Sequence, residues 1–297
     1  MVPKFDDKRT ITGGAIAAAG ALALLVVLGA SRSGAASSEE GGRALIGEAR
    51  RGAVTVPIAP AINVPLTKAK APGRPIVVID PGHGGRDPGA ISVSGEISEK
   101  QLTLTLAREL RAKLAERGRV RVGLTRDSDR YLTLEERAAI ARHLGAGLFL
   151  SLHMDSAPNP LARGASVYSL SDVASDAEAA RFARAENARG AYAAPPATSV
   201  QAMLSDLAVR SQMSASADLA ARLVRKSGSR VTLRPEPHRF ATFHVLRRAE
   251  TPAVLFEAGY ISNADDELML RDPKRRAVIV AALADTIEAD VASRVHR

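Results

Sequence analysis

From residue 75 onward, short apolar runs alternate with longer stretches whose apolar residues recur every three or four positions, the pattern of buried strands interleaved with amphipathic helices. Residues 76–79 (IVVI), 120–124, 148–152 (LFLSL), 165–170, 243–246 and 253–256 read as six strands. Residues 102–115 carry leucines at 102, 106, 110 and 114 and read as a helix; residues 133–144 read as another, opened by Thr133 and Glu136 as a capping box. Alanine-rich helical sequence fills residues 172–227, broken near Ala194-Pro195-Pro196, and a last helix covers about residues 273–293. The pattern predicts an α/β fold: a single domain with a mostly parallel central sheet of about six strands flanked by helices.

Ahead of this domain the patterning changes twice. After Lys4, Lys8 and Arg9 comes an uncharged stretch, residues 10–31, whose apolar heart is residues 15–30 (AIAAAGALALLVVLGA). Residues 1–31 therefore read as an export signal, either cleaved after a small-residue site such as Ser33-Gly34-Ala35 or kept as a single membrane anchor. Both outcomes place the rest of the chain outside the cytoplasm, with membrane contact only through this segment. Residues 32–74 are rich in Ala, Gly, Ser and Pro and read as a mostly extended linker, so residues 75–297 form the expected catalytic domain.

Composition narrows the chemistry. The chain has no cysteine and six histidines, so a metal site must rest on His, Asp or Glu. A formal charge of +9 favours polyanionic partners, but aromatics are only 3% and no basic cluster is interleaved with stacking residues, so nucleic acid is not an expected partner.

Ligands of open α/β sheets bind at the carboxyl ends of the strands. Three predicted strands end in ionisable groups: residues 76–79 run into Asp80-Pro81-Gly82-His83, residues 148–152 into His153-Met154-Asp155, and residues 253–256 into Glu257-Ala258-Gly259. A catalytic zinc takes three protein ligands and leaves one position open. His83 and His153 supply two imidazoles. Glu99, opening a helix behind Ser98 with Gln101 three positions on, is the carboxylate placed to be the third, which leaves Glu257 as general base toward water. Singly, each has a plainer reading: the helix dipole alone favours a glutamate in a first turn, and a lone histidine at a strand end is usually structural. Together they set ionisable groups against apolar strands three times over, which core packing has no reason to do. His143, His238, His244 and His296 lack this setting. The glycines of residues 82–89 carry no Gly-Lys-Ser/Thr, so they serve a tight turn rather than a phosphate cradle, and neither H-E-x-x-H nor G-x-S-x-G occurs.

The motifs VIDPGHGG (78–85), Glu99-Lys100 before a leucine-rich helix, Thr125-Arg126 with Leu134 and Arg137, SLHMD (151–155) and PAVLFEAGYISN (252–263) resemble the zinc-dependent N-acetylmuramoyl-L-alanine amidases of the amidase-3 type, over about residues 75–291. The resemblance implies Zn2+ on His83, Glu99 and His153, Glu257 as catalytic carboxylate, and hydrolysis of the amide between N-acetylmuramic acid and L-alanine in peptidoglycan for cell separation or wall remodelling. The chain departs from the usual pattern at Arg142-His143, Gly147 and Asp155, and it offers no separate wall-targeting module. Residues 172–213 are similar in position to the helical insertion by which division amidases block their own site until a LytM-domain activator displaces it. That likeness implies a covering helix near residues 177–189, with Glu178 or Glu186 approaching the metal, and a LytM-domain activator as partner.

Overall fold

The computed structural model describes residues 63–189 and 199–295. The predicted export segment, most of the linker and His296 lie outside the described residues. Six strands are present, β1 (Ile76–Pro81), β2 (Arg121–Leu124), β3 (Leu148–Asp155), β4 (Ala165–Leu170), β5 (Leu233–Ala241) and β6 (Ala253–Tyr260). The helices are α1 (Glu99–Arg117), α2 (Leu134–His143), α3 (Ala177–Asn187), α4 (Ser199–Ser227), α5 (His244–Arg248), α6 (Ala264–Arg271) and α7 (Pro273–Val295). Among the described residues, no helix is long and apolar enough to cross a membrane.

The strands form one sheet in the order β2-β1-β3-β6-β4-β5. β2, β1, β3 and β6 are mutually parallel, and β4 joins β6 in antiparallel fashion while running parallel to β5. Alternate residues of each strand enter two cores. Val77 and Ile79 pack with Leu106, Leu110 and Leu223 on one side, and Val78 packs with Ile140, Ala179 and Leu246 on the other. Helices thus cover both faces, as continuously apolar parallel strands require.

Two sequence expectations are corrected. Residues 243–246 (FHVL) are not a strand: Phe243 is the N-cap of α5, and the strand lies just before it at Leu233–Ala241. Pro235 and Pro237 disguise that strand, and they are tolerated because β5 is a sheet edge, where a missing N–H breaks no ladder. The linker also ends earlier than residue 74. Thr67 N–H donates to Val122 O at 3.0 Å, Val122 N–H to Thr67 Oγ1 at 2.9 Å, and Lys70 N–H to Gly118 O at 2.9 Å, so this stretch lies along β2 and shields the other sheet edge.

Candidate functional site

The carboxyl ends of β1, β3 and β6 lie side by side because these strands are adjacent and parallel. In the β3–β6 register His153 stands opposite Glu257, so both side chains leave the same face of neighbouring strands. His83 follows β1 in a left-handed backbone conformation, φ 60, which an L-residue holds only when its surroundings impose it. Those surroundings are two buried arginines. Arg137 donates to His83 O at 2.7 Å, to Pro81 O at 2.8 Å and to Asp80 Oδ1 at 2.8 Å. Arg126 donates to Pro81 O at 3.0 Å and to Gly82 O at 2.7 Å. Asp80 also accepts from Thr125 Oγ1 at 2.6 Å and Ser151 Oγ at 2.9 Å, which ties β1, β2, β3 and α2 beneath the loop. Burial would raise the Asp80 pKa, but Arg137 and these hydrogen bonds together bring it below its ordinary value.

Glu99 is the first residue of α1, and Ser98 before it donates from its backbone N–H to Gln101 Oε1 at 3.0 Å. Glu99 Oε1 lies 2.9 Å from His83 Nε2 and 3.0 Å from His153 Nδ1, and accepts from Met154 N–H at 3.0 Å; its Oε2 accepts from Ala90 N–H at 2.9 Å. Two glycines make room for this convergence. A Cβ at Gly82 would fall 2.4 Å from His153 Cε1, and one at Gly89 would fall 2.5 Å from Glu99 Oε2. His83 Nδ1–H donates to Asp87 Oδ2 at 2.9 Å, which turns Nε2 toward Glu99.

Electrostatics in this cluster pull in opposite directions. Burial disfavours a charged His83, yet the Glu99 charge and the Asp87 and Glu99 hydrogen bonds outweigh it and raise the imidazole pKa to about 9. Glu99 is held well below the carboxylate range by both imidazoles in spite of its burial. Glu257 behaves in the contrary way. It is fully buried, neither oxygen has a hydrogen-bond partner among the described residues, and burial followed by the charges of Asp155, Glu99 and Glu186 drives its pKa well above 4.5.

Helix α3 lies over this cluster. Its N-cap Asp176 accepts from Ala179 N–H at 2.9 Å, and Phe182 packs against Tyr168 and Phe243 at centroid distances of 5.3 and 5.4 Å. Near its end Glu186, itself buried, brings Oε2 to 4.0 Å from His153 Nδ1. His83, His153 and Glu186 offer ligand atoms within 4.8 Å of one another, a His-His-Glu candidate metal site. Glu178 points elsewhere: its carboxylate accepts from Arg234 and Arg239 on β5, each at 3.1 to 3.2 Å. The helix end is pinned by Asn187, which donates to Thr242 O at 2.7 Å and accepts from His244 N–H at 2.9 Å. Beyond it, Arg189 reaches Asp87 Oδ1 at 3.0 Å and lies 2.5 Å from His83 Nδ1. The cavity left between His83, His153, Tyr131, Glu186 and Arg189 is about 20 Å³, room for roughly one water.

The sequence reading brings His83, Glu99, His153 and Glu257 to one place, and the fold does the same. It passes over Asp87, Arg189, Arg234 and Arg239. Asp87 was open to detection, four residues after His83 in the same turn; the three arginines come from segments with no motif. His143 is exposed, and His238 bonds Ser169 Oγ at 2.9 Å on the edge pair β4–β5.

The family described as N-acetylmuramoyl-L-alanine amidase (Amidase_3) matches residues 77–289. The N-acetylmuramoyl-L-alanine amidase AmiA of Escherichia coli (strain K12) is 35% identical over 223 residues, 73% of this chain and 76% of that protein. The amidase AmiC of Neisseria meningitidis serogroup B is 32% identical over 72% of this chain, which spans 52% of its length. Among solved structures, the catalytic domain of CwlV, an N-acetylmuramoyl-L-alanine amidase from Bacillus (Paenibacillus) polymyxa var. colistinus, superimposes with a TM-score of 0.54 at 28% identity, over 72% of this chain and 96% of that one.

Proposed function

Because this chain belongs to the Amidase_3 family of N-acetylmuramoyl-L-alanine amidases, which act on peptidoglycan, we propose that it is a zinc enzyme whose ion is held by His83, Glu99 and His153. The observation that carries this reading is the meeting of His83 Nε2 and His153 Nδ1 on one carboxylate oxygen, Glu99 Oε1, at 2.9 and 3.0 Å. Donors that share a tetrahedral zinc at about 2.0 to 2.2 Å lie about 3.3 Å apart, close to these two separations. Two imidazoles and a carboxylate are also a zinc donor set rather than one for magnesium or calcium. A zinc ion there supplies Lewis acidity, polarising the scissile carbonyl and acidifying the attacking water.

The remaining chemistry belongs to the chain. Glu257, beside His153 and without a hydrogen-bond partner among the described residues, would be ionised once a cation on His83, Glu99 and His153 offsets the carboxylate charges around it, and it then takes the proton of the attacking water as the water oxygen bonds to the lactyl carbonyl carbon. It returns that proton to the departing nitrogen as the C–N bond breaks, leaving a carboxylate on the sugar side and a free L-alanine amine on the peptide side. Asp87, accepting from His83 Nδ1–H, fixes the tautomer that points Nε2 inward.

The described conformation is read as the resting, self-blocked state. A cavity of about 20 Å³ admits no glycan or peptide, and Glu186 holds a carboxylate oxygen 4.0 Å from His153 Nδ1, beside the proposed ligands. Activation then requires α3 to leave, and a LytM-domain activator is the proposed agent. Residues 1–31 are read as placing the enzyme in the periplasm by cleaved signal or anchor. The test is digestion of purified sacculi by zinc-loaded protein. Intact stem peptides with free L-alanine amines are expected, faster from Glu186→Ala than from the unaltered chain; shortened stems would refute the assignment, and an unchanged rate would refute the self-blocking.

A further inference from the structure

We propose that Arg234 and Arg239 form a recognition site for free carboxylates of an acidic stem peptide, and that Asp176 and Glu178 occupy it in the closed molecule as internal stand-ins. This rests on the reading of α3 as a displaceable cover.

Both guanidiniums are withdrawn from solvent, the Arg239 side chain being 3% exposed and that of Arg234 18%. Arginine stays charged under such conditions, so each needs an anion. The anions present come almost wholly from α3 and its cap. Arg239 holds both Asp176 oxygens at 2.5 Å and Glu178 Oε2 at 3.1 Å. Arg234 grips Glu178 with two nitrogens at 3.2 Å, one to each oxygen, the paired geometry with which a guanidinium recognises a carboxylate. Its other neighbours are Tyr260 Oη at 2.6 Å and Asp155 Oδ2 at 3.9 Å. When α3 lifts to admit substrate, the two arginines lose these carboxylates together, at the moment an acidic peptide arrives.

Position and backbone support the same assignment. Asp155 lies two residues beyond His153 on β3, so Arg234 sits at the rim of the cluster on the side of β4 and β5. An extended peptide advances about 3.3 to 3.6 Å per residue, so a carboxylate one or two residues past the scissile amide covers a span like the two-residue step from His153 to Asp155. β5 is deformed where it presents Arg234. Its pairing with β4 jumps from Ala165↔Leu233 to Val167↔His238, and Glu236 inside the jump has φ 51, a left-handed conformation that costs energy in a non-glycine residue. Bulges of this kind re-aim a side chain toward a site.

If the arginines served only to dock α3, they would be idle once it is released. The experiment therefore starts from the released form, the triple variant D176N/E178Q/E186Q in the zinc-loaded full chain. Its substrates are a muramoyl tripeptide with a free carboxylate on the second stem residue and the same compound with that carboxylate amidated. The expected result is a kcat/KM about tenfold or more higher for the acid, the size of one charge-assisted hydrogen bond, with adding R234Q/R239Q erasing that preference through KM. Equal rates on acid and amide would overturn the proposal without any change to the arginines. A fall of the same factor on both substrates in the arginine variant would also overturn it. Hydrolysis of neither substrate by the released form would overturn the amidase reading along with it, so the two failures are distinguishable.

Discussion

Replacing Glu257 by glutamine should make the ion-free protein more stable while removing its activity. The carboxyl is completely buried and has no hydrogen-bond partner among the described residues, and burial, then Asp155, Glu99 and Glu186, holds its pKa well above 4.5. The folded chain therefore keeps a proton that the unfolded chain releases near 4.5. Such a group gives stability that is fully present below that value and lost as the pH rises. Each pH unit over which the unfolded chain has released this proton and the folded chain has not costs about 1.36 kcal/mol, so the window from 4.5 to 7 caps the loss at about 3 kcal/mol. Glutamine has nearly the shape of the protonated acid and nothing to ionise, so the variant avoids this loss. In a domain of this size about 3 kcal/mol corresponds to a rise in Tm of up to roughly 10 °C. The assay is thermal unfolding of both proteins, stripped of metal, at pH 4.5 and 7.5. The gap should be near zero at the lower pH and open at the higher, while zinc-loaded Glu257→Gln hydrolyses sacculi about 10²- to 10⁴-fold more slowly. A variant no more stable than the parent at pH 7.5, or equally stabilised at both values, would refute the reasoning.

Zinc binding should be coupled to proton release. With the His83 imidazole pKa raised to about 9 in the ion-free protein, the ion must displace that proton, so affinity should climb about tenfold per pH unit toward 9; a competition titration giving a flat profile would contradict the assigned donor. By the same shift, protonated His83 stabilises the ion-free fold fully below about 6.5 and ceases to do so as the pH passes about 9, which unfolding of His83→Gln against the parent measures. Asp80→Ala should cost about 3 to 5 kcal/mol, because it strands the buried Arg137 charge and unties the loop that carries His83; chemical denaturation showing a loss below about 1 kcal/mol would discard that role.

Much of this site could be read from the chain because its donors sit where apolar strands stop. The runs before His83, His153 and Glu257 are long enough to identify, and parallel pairing of β1, β3 and β6 does the gathering. The errors have equally physical causes. Phe243, Val245 and Leu246 are buried in a one-turn helix, and a short buried apolar run does not distinguish strand from helix. β5 was hidden by its two prolines and by Arg234 and Arg239, which face carboxylates of a segment more than fifty residues away. Between Glu178 and Glu186 the sequence offered no decision, since helix phase alone does not reveal which end of α3 reaches the cluster. Asn187, clasping the backbone around Thr242 and His244, sets that placement.

The most direct test of the central claim is metal stoichiometry, measured by elemental analysis after dialysis, for single alanine variants of His83, Glu99, His153 and Glu186 and for Glu257→Gln. The account predicts about one zinc per chain in the parent, in Glu186→Ala and in Glu257→Gln, and loss of zinc from the variants at His83, Glu99 and His153. Zinc retained without Glu99 but lost without Glu186 would show that the helix carboxylate is a permanent ligand and not a removable block.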